Sequence, residues 1–136
     1  MAAFAITSEY TSLNAVDYST YIKSSVLTCE LSTEDSTTMT ATWATLVPGV
    51  FTGSLAIEFV DDFANGLLDD LQWALFIAAA STAFEVRPTS AAVGVANPKF
   101  TGSVLVTQHS VGGAHGSLAQ KTVTFPVTGA VTRAEA

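Results

Sequence analysis

The sequence predicts a mainly β fold, an antiparallel β-sandwich or partly open barrel with one flanking α-helix. β-branched residues recur in short runs of period two, clusters of Gly, Pro, Ser and Thr separate these runs, and a single apolar stripe repeats at helical spacing. We expect six or seven strands, with the helix between the third and the fourth. Short turns between successive strands favour antiparallel pairing. A chain of 136 residues suits one domain, spanning 1–136.

The strands predicted before the helix span 18–31, 38–46 and 53–60. In the second of these, Thr38, Thr40 and Thr42 form a polar ladder on one face, and apolar side chains occupy the other. Pro48 and Gly49 predict a turn between the second strand and the third.

The helix is predicted over 64–79, with Asp61 or Asp62 as its cap. Its apolar stripe consists of Ala64, Leu67, Leu68, Leu71, Leu75 and Ala78. A second apolar group on the opposite side consists of Trp73, Phe76 and Ile77. Because one sheet cannot bury both sides, the second group must pack against another subunit or under a long loop of the same chain. Asp69 and Asp70 suit the positive end of the helix dipole.

The strands predicted after the helix span 83–87, 99–109 and 118–128. The segment 88–98, with two prolines and small residues, predicts an ordered surface connection. A glycine-rich turn over 111–117 precedes the last strand, and we expect 132–136 to be loose.

The composition favours a subunit of an assembly. Only 12% of the residues are charged, while 49% are hydrophobic, so the surface must carry neutral and apolar groups that partner subunits can cover. The net charge of −7 and the scattered basic residues exclude DNA binding by electrostatic attraction. The single cysteine, Cys29, permits no internal disulfide, and we expect a small buried residue in a protein made in a reducing cytoplasm.

Neither a signal peptide nor a membrane span is predicted. The first residues lack a basic region followed by a long apolar one. The most apolar run, 71–80, has half of the ~20 residues that a membrane helix needs.

No catalytic, cofactor-binding or metal-binding residue is predicted, and we expect a protein that is not an enzyme. His109 and His115 lie six residues apart in a glycine-rich loop, without the further ligands of a zinc site. The sequence around Ser117 does not match the G-x-S-x-G turn of a hydrolase nucleophile. The neighbouring aspartates, such as Asp61 and Asp62, lack the alternating spacing of a calcium loop.

Several segments together resemble the tail tube (major tail) proteins of long-tailed phages of actinobacteria. They are 83–133, 17–27, the threonine-rich run through Trp43, and 53–59 followed by the helix with Trp73. The resemblance implies subunits arranged six to a ring, with rings stacked into a tube whose inner wall is a continuous β-barrel. It implies self-association, contacts with tape-measure and tail-terminator proteins, and a location in the virion tail. Double-stranded DNA would pass through the lumen during ejection without specific binding.

Within that framework we assign three sets of residues. The face carrying Thr38, Thr40 and Thr42, with the neighbouring first strand, is the predicted lumen wall. The loop 30–37, with the carboxylates of Glu30, Glu34 and Asp35, is predicted to meet a basic residue of the next ring. The group Trp73, Phe76 and Ile77 is predicted to pack between subunits.

Two alternatives remain open. The chain could be another virion component, namely a tail terminator, a head–tail connector or a capsid decoration protein, because the same folds and acidic surfaces serve there. It could instead be a small-ligand-binding barrel, with a cavity lined by Trp43, Phe59 and Phe84.

Overall fold

A computed structural model describes residues 5–64 and 66–136, and within them it contains seven strands and one α-helix. The elements are β1 (Tyr10–Leu13), β2 (Val16–Asp17), β3 (Ile22–Asp35), β4 (Leu46–Val60), α1 (Leu68–Ala78), β5 (Ser81–Arg87), β6 (Lys99–Leu105) and β7 (Gln120–Ala134). All ladders are antiparallel, and the strand order is β2-β1-β5-β6-β7-β4-β3. The predicted fold class, a mainly antiparallel β structure with one helix, is confirmed.

Strand β7 joins the two halves of the sheet. Its first half pairs with β4, and its second half pairs with β6. Between the halves, β7 has extra residues opposite β6, which form a β-bulge. Within it Gly129 has a φ of 83°, a value that residues with a side chain rarely adopt. Opposite this bulge, a Cβ on Gly102 would lie 2.9 Å from the Phe84 ring. The two glycines therefore allow β7 to bend from one layer into the other.

The core lies between the two layers. On β4 and β7, every second residue points inward, and Leu55, Phe59 and Phe125 are fully buried. Each large apolar side chain buried in this way contributes about 1.5–3 kcal/mol. The rest of the core cluster is Leu13, Tyr18, Ile57, Leu68, Phe84, Val86, Val104, Val106 and Val123.

The predicted strand 38–46 and the predicted turn at Pro48 and Gly49 are both wrong. Strand β3 continues to Asp35, and β4 runs without interruption from Leu46. Pro48 and Gly49 lie at a register irregularity of this ladder, where a proline is tolerated and the strand bends instead of turning. The Ser32 hydroxyl accepts a hydrogen bond from the Val50 amide at 2.9 Å there.

The two short strands β1 and β2 are absent from the sequence prediction. Asn14 and Ala15 join them through left-handed backbone conformations, at φ values of 52° and 62°. Tyr18, predicted to begin a strand, instead donates its amide to the Thr11 carbonyl before a 3₁₀ turn at 19–21. The helix consequently follows the fourth strand, not the third.

Helix α1 begins four residues later than predicted. Gly66 has a φ of 78°, which keeps the preceding segment out of the helix, and neither Asp61 nor Asp62 caps it. The Asp62 carboxylate instead accepts a bond from Ala64, and the side chain of Asp61 is buried in an ion pair. The expected Asp69 and Asp70 do lie in the first turn.

The second half of the chain is more ordered than predicted at its end. Residues 132–134 belong to β7 and pair with β6, so they are not loose. Strand β6 ends at Leu105, short of the predicted 109. The connection 88–98 is ordered, because the buried Asn97 amide donates to the Ala91 carbonyl at 2.9 Å and to that of Ala92 at 3.2 Å.

Cys29 is exposed, contrary to the prediction, because it lies where β3 leaves the core. Among the described residues, no helix combines the length and the apolar character needed to cross a membrane.

The unclosed seam of the sheet lies between β1 and β3. There the buried hydroxyl of Thr11 donates to that of Ser25 at 3.1 Å. Next to them, burial raises the pKa of the Glu9 carboxyl, and a hydrogen bond with Ser25 opposes this only in part. Protonated Glu9 therefore suits the folded chain better than the carboxylate does.

We expect Glu9→Gln to stabilise the fold at pH 7 by up to about 0.5 kcal/mol, because Glu9 is partly exposed. A raised pKa means that the wild-type chain loses stability as the pH rises above the unfolded-state value, and that this loss is absent below it. Urea unfolding at pH 3.5 and pH 7 measures the difference, with Glu34→Gln as the control. A Glu9→Gln gain that does not change with pH would contradict this explanation.

Candidate assembly surfaces

The most exposed part of the molecule is the far half of the β3–β4 hairpin, residues 30–52, which we call the outer hairpin. Every residue in it is exposed, and its strands pair only with each other. Its β3 arm extends roughly 20 Å at the usual rise per residue. Its exposed large apolar side chains are Leu31, Met39, Trp43, Leu46, Val47, Val50 and Phe51. Such a surface is costly in water and is typical of an interface.

The tip of the outer hairpin is an ordered turn over 36–45. Ser36 donates its amide to the Thr45 carbonyl at 2.9 Å, and the Thr37 hydroxyl accepts from the Thr45 amide at 2.9 Å. Asp35 accepts from the Thr37 amide at 2.8 Å. Hydrogen bonds from the Thr37 hydroxyl and amide lower the pKa of the Asp35 carboxyl. These bonds hold the tip in place, with 84% of Trp43 exposed.

The predicted threonine ladder does not form, because Thr38, Thr40 and Thr42 lie in this turn and not on a strand. A different hydroxyl-rich face exists on β3, β4 and β7, opposite the core. We call it the outer sheet face, and it consists of Ser24, Val26, Thr28, Ser54, Ala56, Glu58, Thr122 and Thr124. The register places Ser54 opposite Thr28, and Glu58 opposite both Ser24 and Thr122. The signal in the sequence was the Thr–X–Thr alternation in β7.

The predicted stacking carboxylates Glu30, Glu34 and Asp35 lie on β3 in the outer hairpin, so the predicted loop 30–37 is wrong up to Asp35. Basic residues are mostly engaged within the chain. The described ion pairs of lysine and arginine are Lys23–Glu58, Arg87–Glu85, Lys121–Asp61 and Arg133–Glu135. Most carboxylates therefore keep their charge uncompensated by a basic neighbour.

The outer side of α1 is the second exposed apolar surface. We call it the α1 surface, and its exposed side chains are Trp73 and Ile77. Trp73 is half exposed and Ile77 is 60% exposed. Phe76, predicted to lie with them, is half-buried and packs against the core cluster. Because β4 runs from the hairpin tip to the segment before α1, this surface and the outer hairpin lie at opposite ends of β4.

The segment 107–118, which we call the strap, lies against α1. Every strap residue is exposed except His109, whose side chain is only 6% exposed. Its Nε2 atom is 3.1 Å from Asp69 Oδ1, and its ring centroid is 5.1 Å from that of Trp73 in an edge-to-face arrangement. Sequence reasoning missed this contact, because forty residues separate the histidine from the aspartate.

The remaining ionisable groups concern the candidate chemical sites considered from the sequence. Among residues 5–64 and 66–136, no three His, Cys, Asp or Glu side chains form a group that could hold a metal ion. His115 is exposed on the strap, while His109 bonds to Asp69. Lys121 and Asp61 form a buried ion pair with Nζ 3.3 Å from Oδ1, and neither Nζ nor either carboxylate oxygen makes a hydrogen bond within the described part of the chain.

The aromatic cavity expected of a ligand-binding barrel is not formed. Trp43 lies at the hairpin tip, whereas Phe59 and Phe84 are packed in the core. An apolar groove of about 460 Å³ does lie at the base of the outer hairpin, between Phe51 on β4 and Phe100 on β6.

No protein-family model matches this sequence, and no curated protein matches it either. Solved structures do match the fold. A chain of the virion of a native gene transfer agent particle aligns with a TM-score of 0.76 and 17% identity, over 96% of this chain and 98% of that one. A chain of the tail of an empty gene transfer agent particle with C6 symmetry aligns with a TM-score of 0.71 and 17% identity, over 92% of each chain. This chain therefore shares its fold with those two chains over nearly its full length.

Proposed function

We propose that this chain is a structural subunit of the tail of a phage or phage-like particle. The observation that carries the proposal is the structural likeness to a chain of a gene transfer agent tail over 92% of each chain. The sequence resemblance to tail tube proteins leads to the same function from different evidence. The exposed apolar outer hairpin, which would be a liability for a free monomer, fits an assembled subunit.

In this proposal, six copies form a ring, and rings stack into a tube. The C6 symmetry of the similar tail supports a six-fold ring in this proposal. Heterologous contacts that close around an axis make a ring, and contacts that do not close propagate along it. The outer hairpin and the α1 surface, at opposite ends of β4, supply the two ends of such a propagating contact.

The outer hairpin serves in this proposal as the stacking element that the loop 30–37 was predicted to be. Its apolar side chains, among them Trp43 and Phe51, would be covered by a copy in the next ring. Glu30, Glu34 and Asp35 would set the register of that contact with a basic group of the neighbour.

The lumen wall in this proposal is the outer sheet face, in place of the threonine ladder. Its side chains are mostly hydroxyls and small apolar groups, with Glu58 adding negative charge. Lys23 at its edge is paired with Glu58. Because Lys23 offsets the charge of Glu58, the wall is close to neutral and offers DNA phosphates no unpaired cationic group to bind. Double-stranded DNA would then pass through without specific contacts, and the chain would act as a conduit without catalysis or cofactors.

Other partners follow from the resemblance: a tape-measure protein inside the tube and a tail-terminator protein at its end. The same fold could serve as a terminator, a connector or a decoration protein, and long tubes formed by the purified chain alone would distinguish the tube subunit from these. The small-ligand barrel is not retained, because its three aromatic residues do not share a cavity.

Negative-stain microscopy of the purified protein tests the proposal, and hollow tubes or stacked rings are expected. Ile77→Asp is expected to reduce tube formation at least about ten-fold, because a carboxylate would have to be desolvated at an apolar contact. The exposed Ala96→Asp, in the connection 88–98 and outside both proposed surfaces, is the charge-matched control. Phe76→Asp is unsuitable, since Phe76 also packs on the core of its own chain. Monomers alone at every concentration and salt would contradict the proposal.

A further inference from the structure

The strap is held to α1 at one buried point. Of its residues, only His109 is withdrawn from solvent. Inside the strap, the described backbone hydrogen bonds comprise one, from Ser117 to Ala114 at 3.0 Å. A 3.4 Å bond from the Thr124 amide to Gln108 adds a long and therefore weak contact. A segment with so few bonds opens easily unless its anchor holds it.

The anchor is the His109 side chain, in which one ring nitrogen has a hydrogen-bond partner and the other has none among the described residues. His109 Nε2 bonds to the Asp69 carboxylate at 3.1 Å, and the ring lies edge-to-face with Trp73 and tilted at 37° to Phe76. The other ring nitrogen, Nδ1, is buried and has no hydrogen-bond partner among the described residues. A buried polar atom without a partner costs free energy that water would return on opening. The closed strap is therefore held only weakly.

The backbone of the strap allows such opening. Gly112 and Gly116 take φ values of 111° and 82°, and no atom lies within 4 Å of where a Cβ would be on either. The segment between His109 and β7 can therefore move without displacing packed side chains.

What the anchor covers is the aromatic part of the α1 surface. The centroid of the His109 ring lies 5.1 Å from that of Trp73 and 6.4 Å from that of Phe76, and the exposed Ile77 follows Trp73 by one turn of the same helix. A partner that packs on this surface gains more apolar contact when the imidazole moves away. The strap and the partner therefore compete for the same side chains.

We propose that the strap is a latch on the α1 surface, with the His109–Asp69 bond as its catch, and that it restrains assembly until a neighbouring copy displaces it. This inference rests on the proposed function, because it assigns a regulation to the same assembly surface. The occupant that displaces the strap is a second copy of this chain.

The catch is tested first in the isolated chain. In a Trp43→Phe background, Trp73 is the remaining tryptophan, and acrylamide quenching of its fluorescence reports its exposure. His109→Ala and Asp69→Ala are both expected to raise the quenching constant at least two-fold, and His115→Ala, on the exposed part of the strap, is expected to leave it unchanged. An unchanged constant in both anchor variants, with urea midpoints like the wild type, would overturn the latch.

The restraint is tested by light scattering of the chain with Trp43 intact. His109→Ala is expected to shorten the lag before tube growth by about ten-fold, the factor that one net hydrogen bond represents. His115→Ala should assemble like the wild type. An unchanged or longer lag, together with increased quenching, would overturn the restraint and leave the tube subunit intact. Absence of tubes from every variant and from the wild type would instead overturn the proposed function. The quenching result would still show whether the His109–Asp69 bond holds the strap on α1.

Discussion

A chain with a shortened hairpin is expected to fold normally and to form no tubes. The change replaces residues 31–51 by Asn-Gly, a two-residue turn that suits the pairing of Glu30 with Thr52. No core residue lies in the deleted segment, so the free energy of unfolding should change by less than about 1 kcal/mol. The stacking surface, in contrast, is removed entirely. Negative-stain microscopy and sedimentation measure assembly, and urea unfolding measures the fold.

A point variant locates the effect at the tip. Trp43→Lys is expected to weaken assembly at least about ten-fold, since tryptophans dominate the energetics of interfaces where they are buried. Thr40→Lys adds the same charge to the same turn and is the matched control. Tubes of normal length from the shortened chain would show that the outer hairpin does not stack rings.

Removing the buried lysine is expected to cause the largest loss of stability. Lys121→Ala leaves the Asp61 carboxylate, whose side chain is 0% exposed, without its partner. Breaking a buried ion pair on one side costs about 3–5 kcal/mol, which is much of the 5–15 kcal/mol that stabilises a typical domain. Urea unfolding of the monomer measures the loss.

Two comparisons define what that loss means. The double change Lys121→Met with Asp61→Leu removes both charges and should recover most of the stability, because apolar groups of similar volume replace buried pairs well. Lys23→Ala, which breaks the exposed pair with Glu58 at 3.8 Å, should cost less than about 1 kcal/mol. A cost for Lys121→Ala as small as that for Lys23→Ala would mean that the Asp61–Lys121 pair does not matter to the fold.

The sequence by itself determined the type of fold and most of its core. Alternation in β4 and β7 identifies inward residues such as Leu55, Phe59 and Phe125, because side chains on a strand alternate between its faces whatever the strand pairs with. The helix was recognisable for the same reason, since its stripe repeats at 3.6 residues. The ordered connection 88–98 was also predictable, because prolines and small residues limit its conformations.

The tertiary structure alone decided where strands extend beyond the core and which distant side chains meet. Thr38–Thr42 alternates like a strand, yet it forms a turn, because the ladder of β3 and β4 continues up to it and its own hydrogen bonds close it. Conversely, β7 continues past Gly129, because β6 offers it a partner.

The pairs Lys121–Asp61 and His109–Asp69 join residues sixty and forty positions apart. The outward exposure of Trp43 and the half-burial of Phe76 likewise depend on what lies beside them. Periodicity is a property of one segment, whereas pairing, burial and contact depend on two. For that reason the sequence predicted the sandwich and its helix, and the structure decided the outer hairpin, the outer sheet face and the strap.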